Sequence, residues 1–210
     1  MKTLLINGSP HTNNTTSAFL LNALKEKLDS NDQIISYEIS RDKDNKIAHD
    51  IIQNLSDTDN IVIAYPLYLD SIPAGLLREL KYIEDNMDKN CSSIYVYQIV
   101  NNGFYDADQN SIAVDMLWQW CKECGMKKGQ ALVVGAGPMS QKVSIKYGFF
   151  ANLGKAINNL AKDISCKIQK DTVYIEPRFP RLMYKIITHM IWKKRAKNNH
   201  LKTSDMLKRL

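Results

Sequence analysis

Four short segments of this chain combine hydroxyl, amide, glycine, proline and aromatic residues just after an apolar run has ended. The first is Gly8-Ser9-Pro10-His11-Thr12-Asn13-Asn14-Thr15-Thr16. Ser9, Asn13, Asn14 and Thr15 offer neutral donors, and a helix starting directly afterwards adds free N–H groups and the positive end of its dipole. No lysine lies in the segment, so it is not a GxxxxGK[ST] nucleotide loop. A terminal phosphate monoester held by neutral donors suits this composition. The plainer alternative has Asn14 or Thr15 capping a helix and Ser9-Pro10 making a turn; from this loop alone, both stand.

The second segment is Pro66-Leu67-Tyr68-Leu69-Asp70-Ser71-Ile72-Pro73. Two prolines stiffen it, and a stiff apolar loop bearing Tyr68 suits one side of a flat ring system. The alternative is a loop whose tyrosine packs on its own domain. The third, Asn101-Asn102-Gly103-Phe104-Tyr105, offers two amides, a glycine that permits close backbone approach, and aromatic surface; an ordinary Asn-Gly turn would look the same. The fourth, Gly135-Ala136-Gly137-Pro138-Met139, again suits close approach.

These segments gain meaning from the elements between them. Residues 2–7, 33–39, 60–65, 93–100 and 129–135 read as strands, and 60–65 (NIVIAY) is apolar and β-branched, as a strand buried on both faces should be. Residues 15–28, 47–55, 73–87, 109–124 and 147–168 carry helical spacing. Strands alternating with helices predict a parallel sheet covered on both faces, and in such a sheet ligands sit at the strand carboxyl ends. The four segments occupy those ends. Together they supply a phosphate grip, a stiff apolar wall and an amide-rich floor, a set that fits flavin mononucleotide (FMN).

Gly8-Ser9-Pro10 with Asn14-Thr15 resembles the phosphate loop of the NADPH-dependent FMN reductases. The segments 66–73 and 102–105 resemble the second and third flavin loops of the flavodoxin-like NAD(P)H oxidoreductases. The resemblance covers residues 1–170. It implies an α/β flavodoxin-like fold with a five-stranded parallel sheet of order 2-1-3-4-5. It also implies FMN as cofactor, NADH or NADPH as electron donor, a small-molecule electron acceptor and a homodimer. Ser9, Asn13, Asn14 and Thr15 would hold the phosphate; Pro66, Leu67 and Tyr68 would flank the isoalloxazine; Asn101, Asn102, Gly103 and Phe104 would contact its polar edge. No catalytic side chain or metal is expected, because flavin chemistry needs no protein nucleophile.

Composition sets the remaining bounds. The chain has 210 residues, 44% of them apolar, enough for a full core. No apolar run approaches the ~20 residues of a membrane span, and the first residues read as a strand rather than a signal peptide. The four cysteines, Cys91, Cys121, Cys124 and Cys166, read as reduced thiols of a cytoplasmic protein. Cys121-Lys122-Glu123-Cys124 has a C-x-x-C spacing, but it closes its helix, where the dipole opposes a thiolate. The net charge of +6 is concentrated at one end: residues 171–210 carry +7 and the rest −1. That near-neutral body argues against nucleic acid as a partner. Residues 171–210 form a basic extension to the domain at 1–170. In it, residues 181–197 place Leu182, Met183, Ile186, Ile187, Met190 and Ile191 on one side of a helix. Packing on the body or on a second subunit is the expectation for that stripe, ahead of contact with a membrane surface.

Two other functions share much of this pattern. A flavodoxin-type carrier would exchange electrons with a protein partner and leave nicotinamide untouched, and a non-catalytic module would keep the fold without the flavin.

Overall fold

The computed structural model describes every residue except 13, 42, 43, 89, 90 and 208–210. Two units emerge, Met1–Pro177 and Arg178–Leu210.

In the first unit, the continuous apolar runs form the middle of the sheet. Strand β1 (Lys2–Asn7) is buried along its whole length, and β3 (Asn60–Pro66) along all but its last residue. They pair in parallel, Thr3 opposite Asn60 through Asn7 opposite Ala64. Strands β2 (Gln33–Glu38), β4 (Tyr95–Asn101) and β5 (Lys127–Val134) extend the sheet in parallel. The sequence reading stopped at five strands. A sixth, β6 (Val173–Ile175), pairs in parallel with β5, giving the order 2-1-3-4-5-6. Three residues are too few to display a period, which is why composition placed the boundary at 170/171; β6 carries the body to Pro177.

The helices cover both faces. Helices α1 (Thr16–Lys25) and, later in the chain, 151–165 bury Leu20 and Leu24, and Leu153, Ile157, Leu160 and Ile164, on one side. Helices α2 (Lys46–Asn54), α3 (Ala74–Asn86) and α4 (Ser111–Glu123) bury Ile51, Leu76, Leu80, Ile83, Val114 and Leu117 in the opposite core, against Leu4, Ile6, Ile61 and Ile63. A four-residue turn, α5 (Gly137–Ser140), precedes α6 (Ala151–Ser165). The periodicity predicted α6 from residue 147. Gly148 has φ +73°, so a 3-10 turn (Gly148–Phe150) comes first.

The chain departs from β1 to either side, towards β2 and towards β3. In doubly wound sheets the carboxyl ends of the two strands flanking such a reversal, here β1 and β3, are where ligands are held.

The second unit is helix α7 (Arg181–Asn198) followed by a 3-10 turn (Thr203–Leu207). No helix among the described residues is long and apolar enough to cross a membrane.

Candidate functional site

The loop after β1 is built on two buried polar side chains. Asn7 Oδ1 accepts the Ser9 N–H at 3.1 Å, and Ser9, only 2% exposed, accepts the His11 N–H at its Oγ, 3.3 Å away. A serine hydroxyl carries one donor and two acceptor positions, so Ser9 keeps its O–H to donate. Asn14 is exposed in the left-handed conformation, φ +48°, which asparagine tolerates better than most residues. Thr15 caps α1, its Oγ1 accepting the Ala18 N–H at 3.1 Å. The capping alternative therefore holds for Thr15, while Ser9 and Asn14 flank the open end of the helix. Asn13 lies outside the described residues.

Hydrogen bonds join the four loops into one closed circuit. The Tyr68 hydroxyl lies 3.1 Å from His11 Nε2, tying the loop after β3 to the loop after β1. The Leu67 N–H donates to the Asn101 carbonyl at 2.8 Å, tying the loop after β3 to the end of β4. The Gly137 N–H donates to the Asn102 carbonyl at 2.8 Å and the Ala136 N–H to the Phe104 carbonyl at 2.5 Å, binding the loops after β4 and β5. Gln141 Nε2 closes the ring at the Asn14 carbonyl, 3.4 Å away.

Within this circuit the expected residues divide into two sets. Tyr68 and Phe104 are exposed, and Gly103 faces open space, where an added Cβ would meet nothing within 4 Å. Pro66 is half-buried at the end of β3, and Leu67 packs against the core. Asn101 and Asn102 turn inward. Asn101 Nδ2 donates to Ser17 Oγ at 3.0 Å and to the Tyr65 carbonyl at 3.1 Å, joining β4, α1 and β3. Asn102 Nδ2 donates to the Asp106 carbonyl, and its Oδ1 accepts the Phe104 N–H at 3.1 Å, fixing its own loop. Both amides shape the loops that present Gly103 and Phe104.

Two glycines serve packing between protein segments. A Cβ on Gly8 would meet the Leu76 side chain at 2.4 Å, so this glycine lets α3 close on β1. One on Gly135 would meet the Tyr105 carbonyl oxygen at 2.2 Å, so Gly135 lets the loops after β4 and β5 touch.

Three members of the site escaped the sequence reading: Asn7, Ser17 and Gln141. Asn7 ends a strand and Ser17 lies inside a helix, so neither stands in a loop; Gln141 follows the fourth segment. A buried polar residue at a strand's carboxyl end is the signal that Asn7 offered.

Among the described residues no cluster of His, Cys, Asp and Glu has the arrangement of a metal site. Cys121 and Cys124 end α4 in a Schellman motif: the Met126 N–H donates to the Cys121 carbonyl, the Gly125 N–H to the Lys122 carbonyl, and Gly125 sits at φ +68°. Burial pushes both thiols up to about 12. A raised thiol pKa leaves no thiolate at pH 8. Iodoacetamide at that pH is therefore expected to alkylate exposed Cys166 in the folded protein and to spare Cys121 and Cys124. Peptide mass spectrometry reads the pattern; modification of either buried cysteine as fast as Cys166 would contradict it.

Comparison with known proteins agrees with this architecture. A protein family described by its flavodoxin-like fold matches residues 1–78. No curated protein matches the sequence. Among solved structures, the apo form of an NADH:FMN oxidoreductase superposes with a TM-score of 0.60 at 16% identity, over 80% of this chain and 90% of that one. An FMN-dependent NADH-azoreductase from Bacillus anthracis str. Ames Ancestor, in complex with FMN, gives 0.56 at 16% identity, over 79% and 100%. A flavodoxin from Streptococcus pneumonia TIGR4 gives 0.57 at 14% identity, over 80% and 100%. With its doubly wound sheet reversing between β1 and β3, this chain has the flavodoxin-like fold.

Proposed function

We propose that the protein is an FMN-dependent oxidoreductase that takes electrons from NADH or NADPH and delivers them to a small acceptor, such as a quinone, a nitro or azo compound, or free flavin. The observation carrying this reading is the closed circuit of four loops at the carboxyl ends of β1, β3, β4 and β5. It fixes a polar cup and an apolar rim relative to each other, as a ligand with one anionic and one planar end requires.

The residues present fit FMN. The Ser9 hydroxyl, the Asn14 amide and the first N–H groups of α1 would receive the phosphate; all are neutral donors aided by the helix dipole. Tyr68 and Phe104 would flank the ring with Pro66 and Leu67 behind it, and the backbone at Gly103 would meet its polar edge. Bound FMN would supply the hydride and electron-transfer chemistry. The chain's own part is to orient the ring, limit water at one face, and hold Asn101 and Asn102 where they keep the loops in register.

Two further features complete the proposal. The enzyme acts as a homodimer in the cytoplasm: Leu69, 99% exposed in the loop after β3 next to exposed Tyr68, offers apolar surface suited to a second subunit, and its free, largely buried thiols suit a reducing compartment. The flavin site belongs to the body alone, since none of its residues lies beyond Gln141, well within Met1–Pro177.

The neighbours of the same fold include an oxidoreductase, an azoreductase and a flavodoxin, so charge has to separate a reductase from a flavodoxin-type carrier. Met1–Pro177 carries only −3, little for a surface that docks electron-transfer proteins through acidic groups. The test is the absorbance spectrum of purified, FMN-reconstituted protein on anaerobic addition of NADH or NADPH. Bleaching of the flavin bands, with recovery on adding a quinone, is expected. A bound flavin that neither nicotinamide bleaches would identify a carrier, and failure to bind flavin would remove the proposal.

A further inference from the structure

Residues 178–210 contain ten Lys/Arg and one acidic residue, a net charge of +9. Six of those cations, Arg181, Lys185, Lys193, Lys194, Arg195 and Lys197, lie on α7, which has no acidic residue. The same helix exposes Leu182 (69%), Ile186 (54%) and Met190 (65%). Spaced by four, these three form one ridge over two turns, with Met183 beside it. Trp192, 52% exposed, stands where the apolar stretch gives way to the basic one, and the Arg195 guanidinium lies 5.1 Å from its ring centroid. A lone helix with a short 3-10 turn cannot bury such a ridge within its own unit.

We infer that α7 is an interfacial helix that docks on an anionic lipid bilayer, with the Leu182–Ile186–Met190 ridge in the headgroup–acyl boundary and its cations among lipid phosphates. Charge selects this occupant. A second copy of α7 would bring two +9 segments together, and the body of another copy offers only −3 to balance one. An anionic bilayer supplies both the counter-charge and the apolar layer. At 18 residues the helix measures about 27 Å, but six cations forbid insertion across the bilayer, so it lies in the plane of the interface. Trp192 at the junction matches the headgroup preference of tryptophan. The inference is independent of the flavin site.

The experiment is sedimentation of the full-length protein with phosphatidylcholine vesicles and with phosphatidylcholine–phosphatidylglycerol vesicles. Binding is expected only with phosphatidylglycerol, and it should be lost as the Debye length shrinks from about 10 Å at 0.1 M salt to about 3 Å at 1 M. Lys193→Ala with Lys194→Ala should weaken binding roughly 30-fold. Ile186→Ser with Met190→Ser leaves the charge intact and should weaken it roughly 100-fold. Trp192 emission should shift to the blue on binding, a signal absent from Trp192→Phe. Light scattering of the free variants reads their mass. Failure to sediment with phosphatidylglycerol vesicles would overturn the inference, as would binding unaffected by the serine pair. A serine pair that dissociates a dimer or destabilises the body, with no lipid binding by the parent, would assign the ridge to a protein surface instead.

Discussion

Replacing Ser9 and Asn14 together by alanine is expected to weaken FMN binding by roughly 10²–10⁴-fold while the fold survives. A hydrogen bond to a charged group contributes about 1.5–3 kcal/mol, and this variant removes two donors from one phosphate. Ser9 has the stronger claim. It is nearly fully buried at the base of the loop, its backbone N–H is held by Asn7 Oδ1, and its Oγ already accepts from His11, so the proton is the part of the group left to give. Asn14 brings an amide from a left-handed backbone; alanine there adds strain of about 1 kcal/mol, which lowers stability slightly without unfolding the body. Flavin fluorescence titration gives the dissociation constants of the two single variants and the pair. Single effects that sum in free energy would mean two separate contacts to the phosphate. A dissociation constant unchanged in the pair would remove the first loop from the site.

The sheet was legible in the sequence because β1 and β3 each carry a short apolar run, Leu4–Ile6 and Ile61–Tyr65, of the kind that a strand covered on both faces has. The site loops were legible for a related reason: glycine, proline and asparagine cluster where chain direction must change, and parallel topology puts those changes at one edge. What the sequence concealed was the direction of side chains. Asn101 and Asn102 have the composition of ligand-binding amides, yet in the structure they spend their Nδ2 donors on Ser17, Tyr65 and Asp106. Gly8 and Gly135 have the composition of a cofactor loop, yet the atoms that would crowd a Cβ there belong to Leu76 and Tyr105. Such partners lie far along the chain, and no local pattern records them. β6 was hidden by its length, and with it the seven residues that carry the body past residue 170.

That difference in direction makes Asn101 the place where scaffold and cofactor contact separate by measurement. The residue is 3% exposed, and its Nδ2 bridges Ser17 Oγ on α1 and the Tyr65 carbonyl on β3. Asn101→Ala should lower the stability of the flavin-free protein by roughly 1–3 kcal/mol, because the Tyr65 carbonyl loses a buried donor; for a chain of this size that is about 2–12 °C in Tm. Asn101→Asp should cost more and should bring a pH dependence. At neutral pH it replaces a donor with a buried carboxylate facing a carbonyl oxygen, so the charged form is disfavoured and the introduced carboxyl has a folded-state pKa above its unfolded value of about 3.9. The folded protein then binds more protons than the unfolded chain between those two values, and stability falls as pH rises through that window. Below about pH 4 the carboxyl is protonated in both states and the deficit against the parent protein is smallest. It grows with a slope of at most about 1.4 kcal/mol per pH unit, then levels once the folded-state group ionises. Thermal melts of parent and both variants, taken without flavin from pH 4 to pH 8, test this directly. If Asn101 instead served the cofactor by direct contact, the flavin-free melts would coincide and only the FMN dissociation constant would move.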